Sequence, residues 1–197
     1  MRNSLTGIAL VGLLIVVPAV VSAQQAPARR DTGKEPTTSS KMARAEEKFM
    51  KDAAAGGMAE VQLGQLAGQH AASDGVRQFG KRMATDHGKA NDELKQLASQ
   101  KSVQLPTALD RSHQSLYDRL SKLNGADFDR AYMKEMVKDH DKDVKAFQKE
   151  ADSGKDSDLK AWASKTLPTL KEHQDQAKQV HASVQGKSSP AASPRQK

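Results

Sequence analysis

Apolar positions recur along this chain at steps of three and four. Phe79, Met83, His87, Leu94 and Ala98 fall on one face of a helix, and Tyr132, Met136, His140, Phe147 and Ala151 fall on another. One constant interval superimposes the two sets. It also aligns Asp86-His87 with Asp139-His140, and Gly80 with Met133. Each set predicts an amphipathic helix with a histidine at the middle of its apolar stripe.

The rest of the chain reads in the same way. A first long helix is expected from about Lys41 to Ala72, with Phe49, Ala53, Gly57, Glu60, Gly64, Ala67 and Ala71 on one face. Glu60 stands in a stripe of mostly small residues, where a carboxylate is costly unless paired or metal-bound. Ser73-Asp74-Gly75 is a short turn, with Ser73 or Asp74 as a helix cap. The second helix runs to about Lys101, and Val103 to Pro106 breaks it. A short helix follows, roughly Ala108 to Lys122, ended by Asn124-Gly125. The third long helix spans about Ala126 to Ala151. The fourth spans about Asp158 to Val184, with Trp162, Leu170, His173, Ala177 and Val180 inward, and Pro168 is expected to kink or break it.

Loop lengths set the topology. The tight turns make the first and second long helices antiparallel, and likewise the third and fourth. The stretch holding the short helix is long enough to return along the molecule, so the second and third run parallel. This predicts an all-α, ferritin-like four-helix bundle: two antiparallel hairpins with a short helix in the long crossover.

The ends differ from this pattern. Met1 to Ala23 reads as a secretory signal: Arg2, an apolar run from Leu5 to Val21, and Val21-Ser22-Ala23 as the cleavage site before Gln24. Residues 24–44 form a Pro/Ser/Thr-rich disordered linker, 45–184 the folded domain, and 185–197 a disordered basic tail. The formal charge of +7 resides in those ends, and residues 45–184 carry no net charge. A nucleic-acid partner wants a basic face on the domain, so that class is set aside. The basic tails suit contact with anionic envelope lipid, or serve as solvated linkers. Cysteine is absent, which excludes disulfides and thiolate metal sites. The expected location is the periplasm or cell envelope of a Gram-negative bacterium.

With a rise of about 1.5 Å per residue, Glu60 and His87 come to similar heights on either side of the first turn. His140 and His173 do so within about two helical turns across the second. Each long helix thus offers one metal-competent residue to the interior: Glu60, His87, His140 and His173. Three imidazoles and a carboxylate suit copper, zinc or iron, and Met83 and Met136, one turn before two of the histidines, would be secondary ligands favouring copper. Two other readings stand beside this one: a buried polar network of neutral histidines, and a cleft for an organic ligand. His70, His113 and His181 fall off the shared stripes and read as surface residues.

Several motifs fall in the order found in a known bacterial family. They are Phe49 with Ala53-Ala54-Ala55-Gly56-Gly57, Glu60-Val61, Val76-Arg77-Gln78-Phe79-Gly80, Met83, Asp86-His87, Leu105-Pro106, Phe128-Asp129, Tyr132, His140, Trp162-Ala163, Leu167-Pro168-Thr169-Leu170 and His173. From about Phe49 to Val184 the chain resembles domain of unknown function 4142. The resemblance implies an exported ferritin-like bundle, often labelled a predicted outer membrane protein, and brings no activity with it. The alternation of a transmembrane β-barrel is missing from the sequence. Di-iron ferritin-like enzymes use Glu-x-x-His pairs. Here the positions three before His87, His140 and His173 are Ala84, Val137 and Leu170, which argues against a carboxylate-bridged di-iron centre.

No nucleophile motif, phosphate loop or acid/base pair supports an enzyme acting on an organic substrate. The leading expectation is a non-enzymatic envelope protein that binds a small ligand or metal, or serves as a stress component. The alternative is a metal-dependent redox or sequestering protein using Glu60, His87, His140 and His173.

Overall fold

A computed structural model describes residues 44–186. The signal segment lies outside the described residues, as do all but Arg44 of the linker and all but the first two residues of the tail. Five helices make up the described chain: α1 (Arg44–His70), α2 (Asp74–Gln100), α3 (Arg111–Leu120), α4 (Gly125–Ser153) and α5 (Ser157–Gln185). The fold is all-α. No helix among the described residues is long and apolar enough to cross a membrane.

The pattern of three and four places the helices as expected, within a few residues at each end. Pro168 lies inside α5 without dividing it. Asp110 caps α3, its side chain accepting from Ser112 N at 2.8 Å and His113 N at 2.9 Å. Gly125, which opens α4, takes φ +62°, a conformation that suits a residue without Cβ. Ser73 occupies the cap position of α2 but makes no side-chain cap bond. The turn is held differently, from another helix.

α1 packs along α2, and α4 along α5. Thinner seams join α2 to α5 and α1 to α4. The contacts fix the directions. Gly57 meets Asn91 while Gly64 meets Gly80, so α1 and α2 are antiparallel. Arg82 bonds Glu172 while Lys165 bonds Glu93, so α2 and α5 are antiparallel too. The α1–α2 seam is narrow because glycines line it. A Cβ on Gly64 would sit 2.3 Å from the Gly80 carbonyl oxygen, and one on Gly80 would sit 2.6 Å from the Ala67 Cβ.

Each hairpin turn is completed by a carboxylate of the other hairpin. Asp129, near the start of α4, accepts from Ala72 N at 3.1 Å and Ser73 N at 2.9 Å. Glu46, near the start of α1, accepts from Lys155 N and, at 2.7 Å, from Asp156 N. The step along the chain that carries Glu46 to Asp129 also carries Ala72 to Lys155 and Ser73 to Asp156. The two hairpins are therefore matched at their ends.

The apolar interior divides into two clusters. One holds Leu63, Phe79, Met83, Leu120, Phe128, Tyr132 and Met136. The other holds Met50, Leu94, Phe147, Leu159, Trp162 and Leu170, and Phe147 lies 5.0 Å from Phe49 and 5.2 Å from Trp162 between ring centroids. Along α2 the boundary falls between Met83 and Leu94, along α4 between Met136 and Phe147, and along α5 between Leu170 and Ala177. His87, His140 and His173 occupy those three gaps.

Candidate metal centre

Three helices each deliver one imidazole to the layer between the apolar clusters. His87, His140 and His173 are 7%, 0% and 1% exposed. Their ring centroids form a nearly equilateral triangle with sides of 5.7, 5.4 and 5.5 Å. One donor atom from each lies within 4.8 Å of the other two.

Hydrogen bonds hold two of the rings from behind. His140 Nδ1 donates to the Met136 carbonyl at 2.9 Å. His173 Nε2 donates to Asp86 Oδ2 at 2.9 Å, and Asp86 also accepts from Arg82 Nε at 3.2 Å. Arg82 is itself anchored on α5 by Glu172 at 2.6 Å and Gln176 at 3.1 Å. With those protons committed, the opposite ring nitrogens carry lone pairs. His87 Nε2, His140 Nε2 and His173 Nδ1 are buried and have no hydrogen-bond partner. A closed polar network would pair such atoms. A ring nitrogen tied to carbonyl or carboxylate, with its opposite nitrogen free, is the arrangement that orients histidine toward a metal.

Electrostatics keep the rings neutral. Burial pushes His87 down to about 3, and His140 and His173 press in the same direction. Burial likewise takes His140 to about 4, although the Met136 carbonyl opposes it. Burial lowers His173 as well, partly offset by its bond to Asp86. Burial alone would raise Asp86, but the bonds from His173 and Arg82 outweigh it and hold the carboxyl below its ordinary value. At neutral pH the triad presents unprotonated nitrogen, the form that binds metal ions.

The other candidates lie elsewhere. Glu60 is 3% exposed but does not share the histidines' convergence, since the donor group comprises those three residues alone. It lines a cavity with Asp139 and Asp143 of α4. Its Oε2 has no partner, and burial, followed by the charges of Asp143 and Asp139, holds its carboxyl well above the usual range. On α1, Glu60 lies between Gly57 and Gly64, which meet Asn91 and Gly80 of α2, and its side chain lines the cavity shared with Asp139 and Asp143 of α4 rather than joining the triad. Met83 and Met136 are fully buried in one apolar cluster, and Met136 serves the centre through its backbone carbonyl. His70, His113 and His181 are half-buried rather than fully exposed. His70 bonds the Leu123 carbonyl at 2.7 Å and His113 pairs with Asp110 at 2.9 Å, and none of the three joins the triad. Sequence reasoning missed Arg82, although its position one turn before Asp86 is an i,i+4 signal.

Comparison with known proteins adds a family and a fold. The family model described as "Domain of unknown function (DUF4142)" matches residues 32–180. No curated protein matches the chain. Among solved structures, a crystal structure of a DUF305 fragment from Deinococcus radiodurans is similar, with a TM-score of 0.64 and 11% sequence identity. The match covers 73% of this chain and 99% of that one. At that identity the likeness speaks for the helical fold alone.

Proposed function

This chain belongs to the domain of unknown function (DUF4142) family, and from its buried histidine triad we propose that it is an exported, non-enzymatic metal-binding protein. In this reading a ferritin-like four-helix bundle holds one divalent transition-metal ion through His87 Nε2, His140 Nε2 and His173 Nδ1. The observations that carry the reading are that each of the three histidines has a buried ring nitrogen without a partner and that one donor atom from each lies within 4.8 Å of the others. A tetrahedral ion with metal–nitrogen bonds of about 2.0–2.1 Å needs nitrogens about 3.3 Å apart. Small side-chain movements from separations of at most 4.8 Å supply that geometry. All-imidazole donors suit zinc and copper(II) over magnesium or calcium, with copper(II) the tighter of the two. Three protein ligands leave a fourth position for water or another small ligand.

The structural alternative, a purely packing role, leaves three buried ring nitrogens without partners. The di-iron alternative lacks its carboxylates: the nearest carboxylate in the hydrogen-bond network, Asp86, is spent on His173. Export is supported by Arg2, the Leu5–Val21 run and the Val21-Ser22-Ala23 exit. N-terminal sequencing of the secreted form should begin at Gln24.

Calorimetric titration tests the centre. The chain from Gln24 onward, stripped with chelator, should take up one equivalent of zinc or copper(II). The double substitution His87→Ala, His140→Ala should abolish that uptake while leaving a helical circular dichroism spectrum. Absence of binding, or binding unchanged by the substitutions, would falsify the proposal.

A further inference from the structure

Arg82 joins the two helices that carry His87 and His173. Its guanidinium directs a different nitrogen at each of three side chains: Nε at Asp86 Oδ2 (3.2 Å), Nη2 at Glu172 (2.6 Å) and Nη1 at Gln176 (3.1 Å). Asp86 directly precedes His87 on α2. Glu172 directly precedes His173 on α5, and Gln176 follows it by three positions. Arg82 thus grips both helices at the level of the triad. A guanidinium is a rigid planar fork, so bonds from its separate nitrogens fix its neighbours relative to one another.

That grip converges on one atom. The Asp86 oxygen that accepts from Arg82 Nε is the same Oδ2 that accepts from His173 Nε2 at 2.9 Å. His173 is 1% exposed, whereas the side chains of Asp86 and Arg82 are 26% and 35% exposed. A carboxylate that touches solvent is free to turn unless a second bond restrains it. With Oδ2 held, His173 keeps its Nε2 proton on Asp86 and its buried Nδ1 stays unpartnered. The α2–α5 seam has another ion pair, Lys165 with Glu93 at 2.7 Å. It lies about two turns along α5 from His173, and its bond involves neither Asp86 nor a histidine.

Building on the metal-binding reading, we infer that Arg82 is a positioning residue of the centre: acting through Asp86, it holds His173 in its ligating orientation and so lengthens the stay of the bound ion. None of its three bonds goes to a histidine, so its removal leaves every ligand present. The effect is therefore on the rate of release before it is on the number of ions held. An ion bound by three imidazoles leaves stepwise, and a His173 ring free to swing from Asp86 opens the first step.

The test loads the secreted chain with zinc and follows its transfer to an excess of coloured chelator by absorbance. Arg82→Met keeps the aliphatic stem and removes the nitrogens. It should release zinc about tenfold faster than the parent, the lower end of what loss of an outer-sphere partner costs, with 1:1 stoichiometry retained. Lys165→Met breaks the other seam pair and should release zinc as the parent does. Adding Arg82→Met to Asp86→Asn should bring no further acceleration, because the path through Asp86 is already cut. In the metal-free chain, nitrogen NMR of labelled histidine should show His173 as the Nε2–H tautomer, and Arg82→Met should mix the two tautomers. An unchanged release rate in Arg82→Met overturns the inference. So does equal acceleration by Lys165→Met, which would make the effect general to the seam, or a full effect persisting in the Asp86→Asn background. A parent chain that takes up no zinc defeats the metal reading and this inference together, whereas a parent that binds while Arg82→Met is indifferent defeats this inference alone.

Discussion

Replacing His87 by leucine should flatten the response of stability to acid, and the size of the effect follows from burial. In an unfolded chain a histidine titrates near 6.5. In the folded protein burial holds His87 at about 3. Between those values the unfolded state binds a proton that the folded state refuses. Stability is then lost as pH falls, at about 1.36 kcal/mol per unit. From pH 6.5 to pH 5 the loss assignable to His87 is about 2 kcal/mol. Other groups act with opposite sign: Asp143, at about 7 when folded, takes up a proton in the native state first and stabilises it as pH falls. The wild-type curve alone therefore mixes the two. The difference between wild type and His87→Leu removes Asp143 and isolates the histidine. Urea unfolding at pH 7, 6 and 5 with a chelator present measures it. Wild type should lose about 2 kcal/mol more than the variant between pH 7 and pH 5. Equal losses would mean that His87 takes up its proton in the native state, and the argument for a desolvated, metal-ready triad would fail.

Four further substitutions read other parts of the molecule. Asp86→Asn keeps the shape behind His173 but weakens the charge that orients it, so zinc affinity should fall about 10- to 100-fold with the 1:1 stoichiometry retained; calorimetry checks it. Gly64→Ala should destabilise by about 1–3 kcal/mol, because the new methyl meets the Gly80 carbonyl. Gly68→Ala, with open space at its Cβ, should stabilise by about 0.5–1 kcal/mol, and urea midpoints separate the two. Glu46→Ala should cost about 1–3 kcal/mol by stranding the Lys155 and Asp156 N–H groups, and amide exchange should quicken at those two positions.

Helix positions and the inward histidines were legible because one helical period governs both. Phe79, Met83 and His87 share a face whatever the neighbours are, and the same holds for His140 and His173. Distances along an axis were legible as well, since rise per residue is fixed. Azimuth between helices was not. Glu60 lies among the glycines that meet α2, yet its side chain lines the cavity shared with Asp139 and Asp143 of α4. Asp86 lies about 100° round the helix from His87. That offset is what aims it at α5, where His173 waits. Asp143 lies three residues after His140 and four before Phe147, on the inward stripe of α4, where the periodicity alone gave an acid no partner. Only the packing of α1 against α4 brings it to one cavity with Glu60.

The reciprocal carboxylates Glu46 and Asp129 make each hairpin the finisher of the other. Alone, the α1–α2 segment leaves the Ala72 and Ser73 amides without acceptors, and the α4–α5 segment does the same at Lys155 and Asp156. Neither half is a self-sufficient folding unit, and the loss of one removes the lock from its sibling. Melting should accordingly be a single event with no surviving half. A chain severed within the crossover, between α2 and α4, carries both locks and both keys, so its two fragments possess what they need to recognise each other and rejoin.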